Sequence, residues 1–214
     1  MIVRAVIFDF NGTVSNDEPI LCDIFRELFA EHGRPLSAEE YFDQLAGLSD
    51  PEIVRTWLGP AHPAVDEVIA ERIARYRAAV SGGSTVSETV RQAVRYAAGR
   101  VPVAIVSGAA RAEIDPVLTA ARLSPVIQVL VSADDVSEGK PNPESYLRAL
   151  ELLDDHIRAG EVVVLEDTEA GIAAAKAAGM SCIAVLGTLK PERLAAADEI
   201  VPAIDVALMR RLLG

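Results

Sequence analysis

Two hydrophobic patterns alternate along most of this chain. Short, nearly continuous apolar runs occupy Val3 to Phe8, Val101 to Val106, Val126 to Val131, Val162 to Leu165 and Cys182 to Leu186, as expected of parallel strands buried on both faces. Amphipathic helical patterns lie before and between the later runs, at Glu88 to Ala98, Ala112 to Ala121, Glu144 to Leu153 and Glu169 to Ala178, the last closed by Gly179 in a C-cap position. Strand and helix in alternation predict βαβ units and a parallel sheet. The order breaks from about Asn16 to Ser84. There, patterns at Ile20 to Glu31, Tyr41 to Leu45, Glu52 to Leu58 and Ala64 to Val80 follow one another without a strand. That stretch reads as a helical insert, with Ser15 to Pro19 as its entrance and Ser81-Gly82-Gly83-Ser84 as its exit hinge. The expected organisation is an α/β chain, with a sheet domain from residues 1–15 and 85–214 and a helical domain from residues 16–84.

Composition narrows the partners. The 214 residues carry 20 basic and 32 acidic side chains, a formal charge of −12. This excess repels nucleic acid and anionic membrane surfaces, and no basic run overrides it. No apolar run approaches the ~20 residues that span a bilayer, and Asp9 stands where a signal peptide would still be apolar, so a cytoplasmic chain is expected, a monomer or weak homodimer. Cys22 and Cys182 match no metal or redox spacing and read as buried thiols.

Four short polar clusters each follow a predicted strand, and ligand sites of open parallel sheets lie beyond the carboxyl ends of the strands. In Asp9-Phe10-Asn11-Gly12-Thr13 a carboxylate leaves the strand just ahead of a glycine that permits a tight turn with inward amides. Ser107-Gly108 offers a hydroxyl and a backbone amide suited to a phosphate oxygen. Lys140-Pro141-Asn142-Pro143 fixes a cation, one of only three lysines beside seventeen arginines. Glu166-Asp167-Thr168 places two acids and a hydroxyl before a helix. Each also has a plain structural reading: a strand-to-turn Asp, a Ser-Gly turn, surface charge, a helix N-cap. Their shared position favours one crevice, an anion site with Mg²⁺ held by carboxylates and a phosphoryl group clamped by Ser107, Gly108 and Lys140.

These four motifs, in this order and over essentially the whole chain, resemble the haloacid dehalogenase superfamily, in its phosphatase and phosphomutase branch with a helical cap inserted after the first motif. The resemblance implies a Rossmann-like core under the cap and attack by Asp9 on phosphorus to form an aspartyl-phosphate that water hydrolyses. It further implies that Ser107 and Lys140 hold the phosphoryl group. Mg²⁺ would rest on Asp9, Asp167 and the backbone carbonyl of Asn11, with Glu166 behind it. The substrate would be a small phosphorylated metabolite.

One residue departs from the family. Its phosphatases carry a proton-transferring aspartate two residues after the nucleophile, where this chain has Asn11, and an amide transfers no proton at neutral pH. Loss of a positioned acid/base typically costs about 10²–10⁴-fold in rate. Four alternatives follow: a leaving group that needs no proton, a proton from Asp17, Glu18 or His32, a low-activity phosphate-binding protein, or deamidation of the Asn11-Gly12 dipeptide, which would put some aspartate at position 11 in aged protein. A sugar-phosphate phosphomutase is the runner-up enzyme. The paired acids Glu166-Asp167 argue against dehalogenation, and the lack of any lysine from Asn16 to Ser84 excludes carrying over the Schiff-base mechanism of the phosphonate-cleaving branch. In the insert, Gly47-Leu48-Ser49-Asp50 resembles a substrate-facing loop. Arg55, Arg72, Arg75 and Arg77 read as solvated faces, His32, His62 and His156 as surface, and Trp57 as core of the insert.

Overall fold

The computed structural model describes residues 2–81 and 85–214; Gly82, Gly83 and Ser84 of the expected exit hinge lie outside them. The chain begins with β1 (Ala5–Asp9), then runs through α1 (Glu18–Glu31), α2 (Ala38–Glu40) with a π-helical continuation Tyr41–Leu45, α3 (Asp50–Leu58) and α4 (Val65–Val80). The sheet resumes after α5 (Glu88–Ala98) with β2 (Val103–Val106), α6 (Arg111–Ala120), β3 (Val129–Val131), α7 (Glu144–Leu153), β4 (Val162–Glu166), α8 (Glu169–Ala177), β5 (Ser181–Val185), β6 (Glu199–Val201) and α9 (Val206–Leu213). The strands form one sheet in the order β3-β2-β1-β4-β5-β6, with every pairing parallel. The α/β fold with a parallel sheet is the one the periodicity predicts. Among the described residues no helix is long and apolar enough to cross a membrane.

The continuous apolar runs become the central strands because both faces are covered. All residues of β1, β2 and β4 are buried, with α7 packed on β2 and β3 and α8 on β4 and β5. β1 lies between β2 and β4, pairing Val6 with Val103 and Val6 with Val163. The chain builds outward from β1 on one side and then crosses to the other, so a crevice opens beyond the ends of β1 and β4. Three elements depart from the expected pattern. β6 is a three-residue edge strand with one buried residue, too short for a continuous apolar run. α9 is started by Asp205, whose side chain accepts from Leu208 N at 2.7 Å. Tyr41–Leu45, expected as an ordinary helix, is π-helical.

In the strandless stretch α4 packs against α1, α3 and, across the crevice, α6. That last contact corrects the reading of Arg72 as a solvated residue: it is 5% exposed, because a helix face that reads as outward is covered by α6. Arg75, one turn on, does lie at the surface, paired with Glu71 and Glu31 at 2.9 and 3.1 Å. Trp57 sits half-buried, stacked on Phe29 with its Nε1 donating to the Arg34 carbonyl at 2.8 Å. Both cysteines are buried and unpaired.

Candidate functional site

β1 delivers Asp9 and β4 delivers Glu166 to the same end of the sheet, and the loop before α7 brings Lys140 between them. Lys140 Nζ donates to Asp9 Oδ1 and to Glu166 Oε1, both at 2.5 Å. Glu166 is fully buried. Its Oε1 also accepts from Tyr146 OH at 2.9 Å, and its Oε2 accepts from Asp167 N, Thr168 N and Thr168 Oγ1 at 2.9–3.1 Å. Every lone pair is directed, so the carboxylate is a rigid brace for Lys140. Burial alone would raise Glu166, but the lysine ammonium and these donors hold it below the ordinary value. Burial likewise opposes the charge on Lys140, and Asp9 and Glu166 outweigh it, keeping the ammonium charged.

The brace depends on a glycine of α8. A Cβ at Gly171 would overlap the Glu166 carboxyl group, so Gly171→Ala must move either the helix or the brace. Its expected cost is about 1–3 kcal/mol of stability, the usual range for overpacking. Chemical denaturation would read this, and a variant as stable as the parent would overturn it.

Asp167, next in line, is buried, its Oδ1 accepting from Thr13 Oγ1 at 3.1 Å and its Oδ2 from Thr188 Oγ1. Oxygens of Asp9, Glu166 and Asp167 come within 4.8 Å of one another. Burial raises Asp9 to about 7 from 3.8 despite Lys140, and burial with the charges of Asp9 and Glu166 lifts Asp167 well above the carboxylate range. Three buried acids share a single ammonium. The deficit of positive charge and the all-oxygen donor set fit a hard divalent cation. Gly12 makes room for the group: its φ is +74°, and a Cβ there would strike Asp167.

Asn11 is held from both ends. Its Oδ1 accepts from Ser107 Oγ at 3.3 Å, while its Nδ2 donates to Asp17 Oδ2 at 2.9 Å and to Tyr76 OH at 3.3 Å. Asp17 occupies the N-cap of α1 yet makes no capping bond; its fully buried carboxylate accepts instead from Asn11, Gly12 N and Tyr76 OH. An amide suits position 11 here because a carboxylate would face another carboxylate. Asn11→Asp is therefore expected to cost about 2 kcal/mol at pH 8 and less at pH 5, because the forced proton is lost as pH rises. Adding Asp17→Asn should restore stability at pH 8, and urea melts at the two pH values check both.

Ser107, at the end of β2, is buried; Gly108 beside it is exposed to the crevice, and Ser107 Oγ accepts from Ala109 N at 3.1 Å. Asp9, Asn11, Ser107, Gly108, Lys140 and Asp167 all line one cavity of about 430 Å³, and so does the Gly47–Asp50 loop. Glu166 lies behind this wall. Of the candidate proton sources, Glu18 lines the cavity, Asp17 lies beneath Asn11, and His32 stands against His62 away from it. Glu18 accepts from Tyr41 OH at 2.9 Å; burial, aided by the Asp17 charge, raises it to about 7. The sequence reading misses Tyr76, Tyr146, Glu113 and Thr188. Only Thr188 carried a signal, since Gly187-Thr188 follows a strand as Ser107-Gly108 does.

Comparison with known proteins places the chain among phosphate-ester enzymes. The family described as haloacid dehalogenase-like hydrolase matches residues 6–185. The chain is 32% identical to validoxylamine A 7'-phosphate phosphatase of Streptomyces hygroscopicus subsp. limoneus, over 91% of each chain. It is 30% identical to the phosphorylated carbohydrates phosphatase of Thermotoga maritima, over 85% of this chain and 84% of that one. Among solved structures it is similar to a CbbY variant of Rhodobacter sphaeroides in complex with xylulose-(1,5)bisphosphate, with a TM-score of 0.81, 27% identity and 95% of each chain covered.

Proposed function

The chain belongs to the haloacid dehalogenase-like hydrolases and is a phosphoric monoester hydrolase, and from that premise we propose that it cleaves a small phosphorylated metabolite through an aspartyl-phosphate on Asp9. The observation that carries this reading is the placement of Asp9 in the wall of the cavity with one oxygen fixed by Lys140 at 2.5 Å. The other oxygen of Asp9 forms the bond to phosphorus as the bond to the ester oxygen breaks, and a water oxygen then attacks phosphorus to release inorganic phosphate and regenerate Asp9. Lys140, Ser107 and the Gly108 amide hold the phosphoryl oxygens. Asp9, Asp167 and the Asn11 backbone carbonyl would hold Mg²⁺, with Glu166 acting through Lys140; when bound, the ion supplies positive charge that offsets the phosphoryl oxygens and the three acids.

Asn11 keeps the geometry but supplies no proton. Among the three candidates, Glu18 faces the cavity and has a carboxyl that titrates near neutrality, so Glu18 is the group that protonates the leaving oxygen and deprotonates the attacking water. The relatives' names, validoxylamine A 7'-phosphate phosphatase and phosphorylated carbohydrates phosphatase, favour hydrolysis over a mutase. The test is a phosphate-ester screen with Mg²⁺ and trapping by beryllium fluoride. Phosphate release together with a trapped Asp9 complex is expected; folded protein that releases none from any ester overturns hydrolysis.

A further inference from the structure

The half of the cavity that faces away from Asp9 receives the leaving group, and its chemistry selects among phosphate esters. Its walls come from α1, α3 and α4, with Phe25, Ile53 and Ile69 among the apolar ones. Among the described residues, Arg72 and Lys140 are the only cations lining the cavity, and Lys140 is taken up by Asp9 and Glu166. Arg72 is also taken up. One terminal nitrogen donates to Asp50 at the start of α3 and the other to Glu113 in the first turn of α6, where Glu113 Oε2 also accepts from Ala110 N at 3.3 Å. A guanidinium binds phosphate or carboxylate with two parallel N–H groups, and here a carboxylate already sits on each terminal nitrogen, so the guanidinium charge is offset before a ligand enters.

The charge balance points the same way. Asp50, Glu113 and Arg72 sum to one negative charge, and Glu18 adds either a second or a hydrogen-bond donor. A second phosphate or a carboxylate on the substrate would enter a negative, largely apolar compartment with no free cation. A hydroxylated ring, by contrast, can lie on the apolar wall and donate its hydroxyls to the acids, and an ammonium on that ring meets opposite charge. We propose, building on the hydrolase reading above, that the substrate is the monophosphate of a sugar-like or amino-sugar-like ring, and that esters with a second anionic group are rejected.

Two measurements separate this inference from the reaction itself. Calorimetric binding to the Asp9→Asn chain with Mg²⁺, and kcat/KM of the unaltered chain, are compared for glucosamine 6-phosphate, glucose 6-phosphate, fructose 1,6-bisphosphate and 2-phosphoglycolate. The expected preference for the first two is on the order of 100-fold, the scale of a like-charge clash. Glu113→Gln, which removes one charge and loosens one guanidinium nitrogen, should narrow that gap by about tenfold. Tighter or equal binding of the bisphosphate or the glycolate ester overturns the inference, as does failure of both hexose esters to bind. Binding in the expected order without phosphate release overturns the hydrolase reading alone, whereas release from all four esters at similar rates overturns the selectivity and leaves the hydrolase standing.

Discussion

Asp9→Asn is expected to lower kcat by at least about 10⁴-fold, the scale seen when a nucleophile is removed, while leaving the fold intact. The carboxamide has the same shape, and its oxygen can still accept from Lys140 Nζ. It lacks the anionic oxygen that bonds to phosphorus. The same change should stabilise the metal-free protein at pH 8. Asp9 is raised to about 7, by burial first and by Glu166, so the stability associated with its neutral form is present at low pH and is lost as pH rises through 7. A neutral amide removes that loss. Mg²⁺, which stabilises only a form that binds it, should raise the melting temperature of the parent more than that of the variant. Phosphate release and thermal melts with and without Mg²⁺ check both halves; turnover within tenfold of the parent would exclude Asp9 as the nucleophile.

Glu18→Gln is expected to separate rate from stability in opposite directions. With alkyl phosphates, whose leaving oxygen needs a proton, kcat should fall about 10²–10⁴-fold. Aryl phosphates, whose leaving groups depart as stable anions, should lose less than about tenfold. The folded state should meanwhile gain about 3 kcal/mol at pH 8. Burial raises Glu18 from 4.5 to about 7, so its contribution is intact below 4.5 and disappears as pH passes 7, where the buried carboxyl must ionise. The substituted amide carries no such penalty and can still accept from Tyr41. Equal losses on both ester classes would assign Glu18 to binding rather than proton transfer. In this background the pair Asn11→Asp and Asp17→Asn puts an acid back at position 11, and recovery of alkyl-phosphate turnover would identify the missing function as proton transfer.

The parts of the fold that were readable in the sequence are those where a residue's surroundings are set by its own segment. Continuous valines and isoleucines specify strands covered on both faces, and a polar residue straight after such a run stands at the crevice; hence Asp9, Ser107 and Glu166 meet where the strand order turns. Arg72 shows the limit. Its burial depends on α6, forty residues away in sequence, and helical periodicity carries no information about a partner of that kind. Tyr76 and Tyr146 read as ordinary helix residues for the same reason, although both donate to acids of the site. β6 escaped detection because an edge strand with one buried residue has no apolar pattern. Asp17 stands at the N-cap of α1, and that its carboxylate turns back to Asn11 instead of capping the helix is a matter of tertiary geometry.

The clamp on Asn11 also governs how the protein ages. An asparagine followed by glycine loses its amide when the glycine nitrogen attacks the side-chain carbonyl carbon and closes a succinimide ring, a reaction that flexible peptides undergo readily. Here the Gly12 nitrogen is engaged by the Ser15 carbonyl at 2.8 Å and by Asp17 Oδ1 at 3.2 Å, and both side-chain ends of Asn11 are tethered. Nucleophile and target cannot rotate into each other without breaking the network. Position 11 thus acts as a chemical clock that runs only while the site is open, so the aspartate and isoaspartate found there in an old sample record the time its molecules have spent with this network broken.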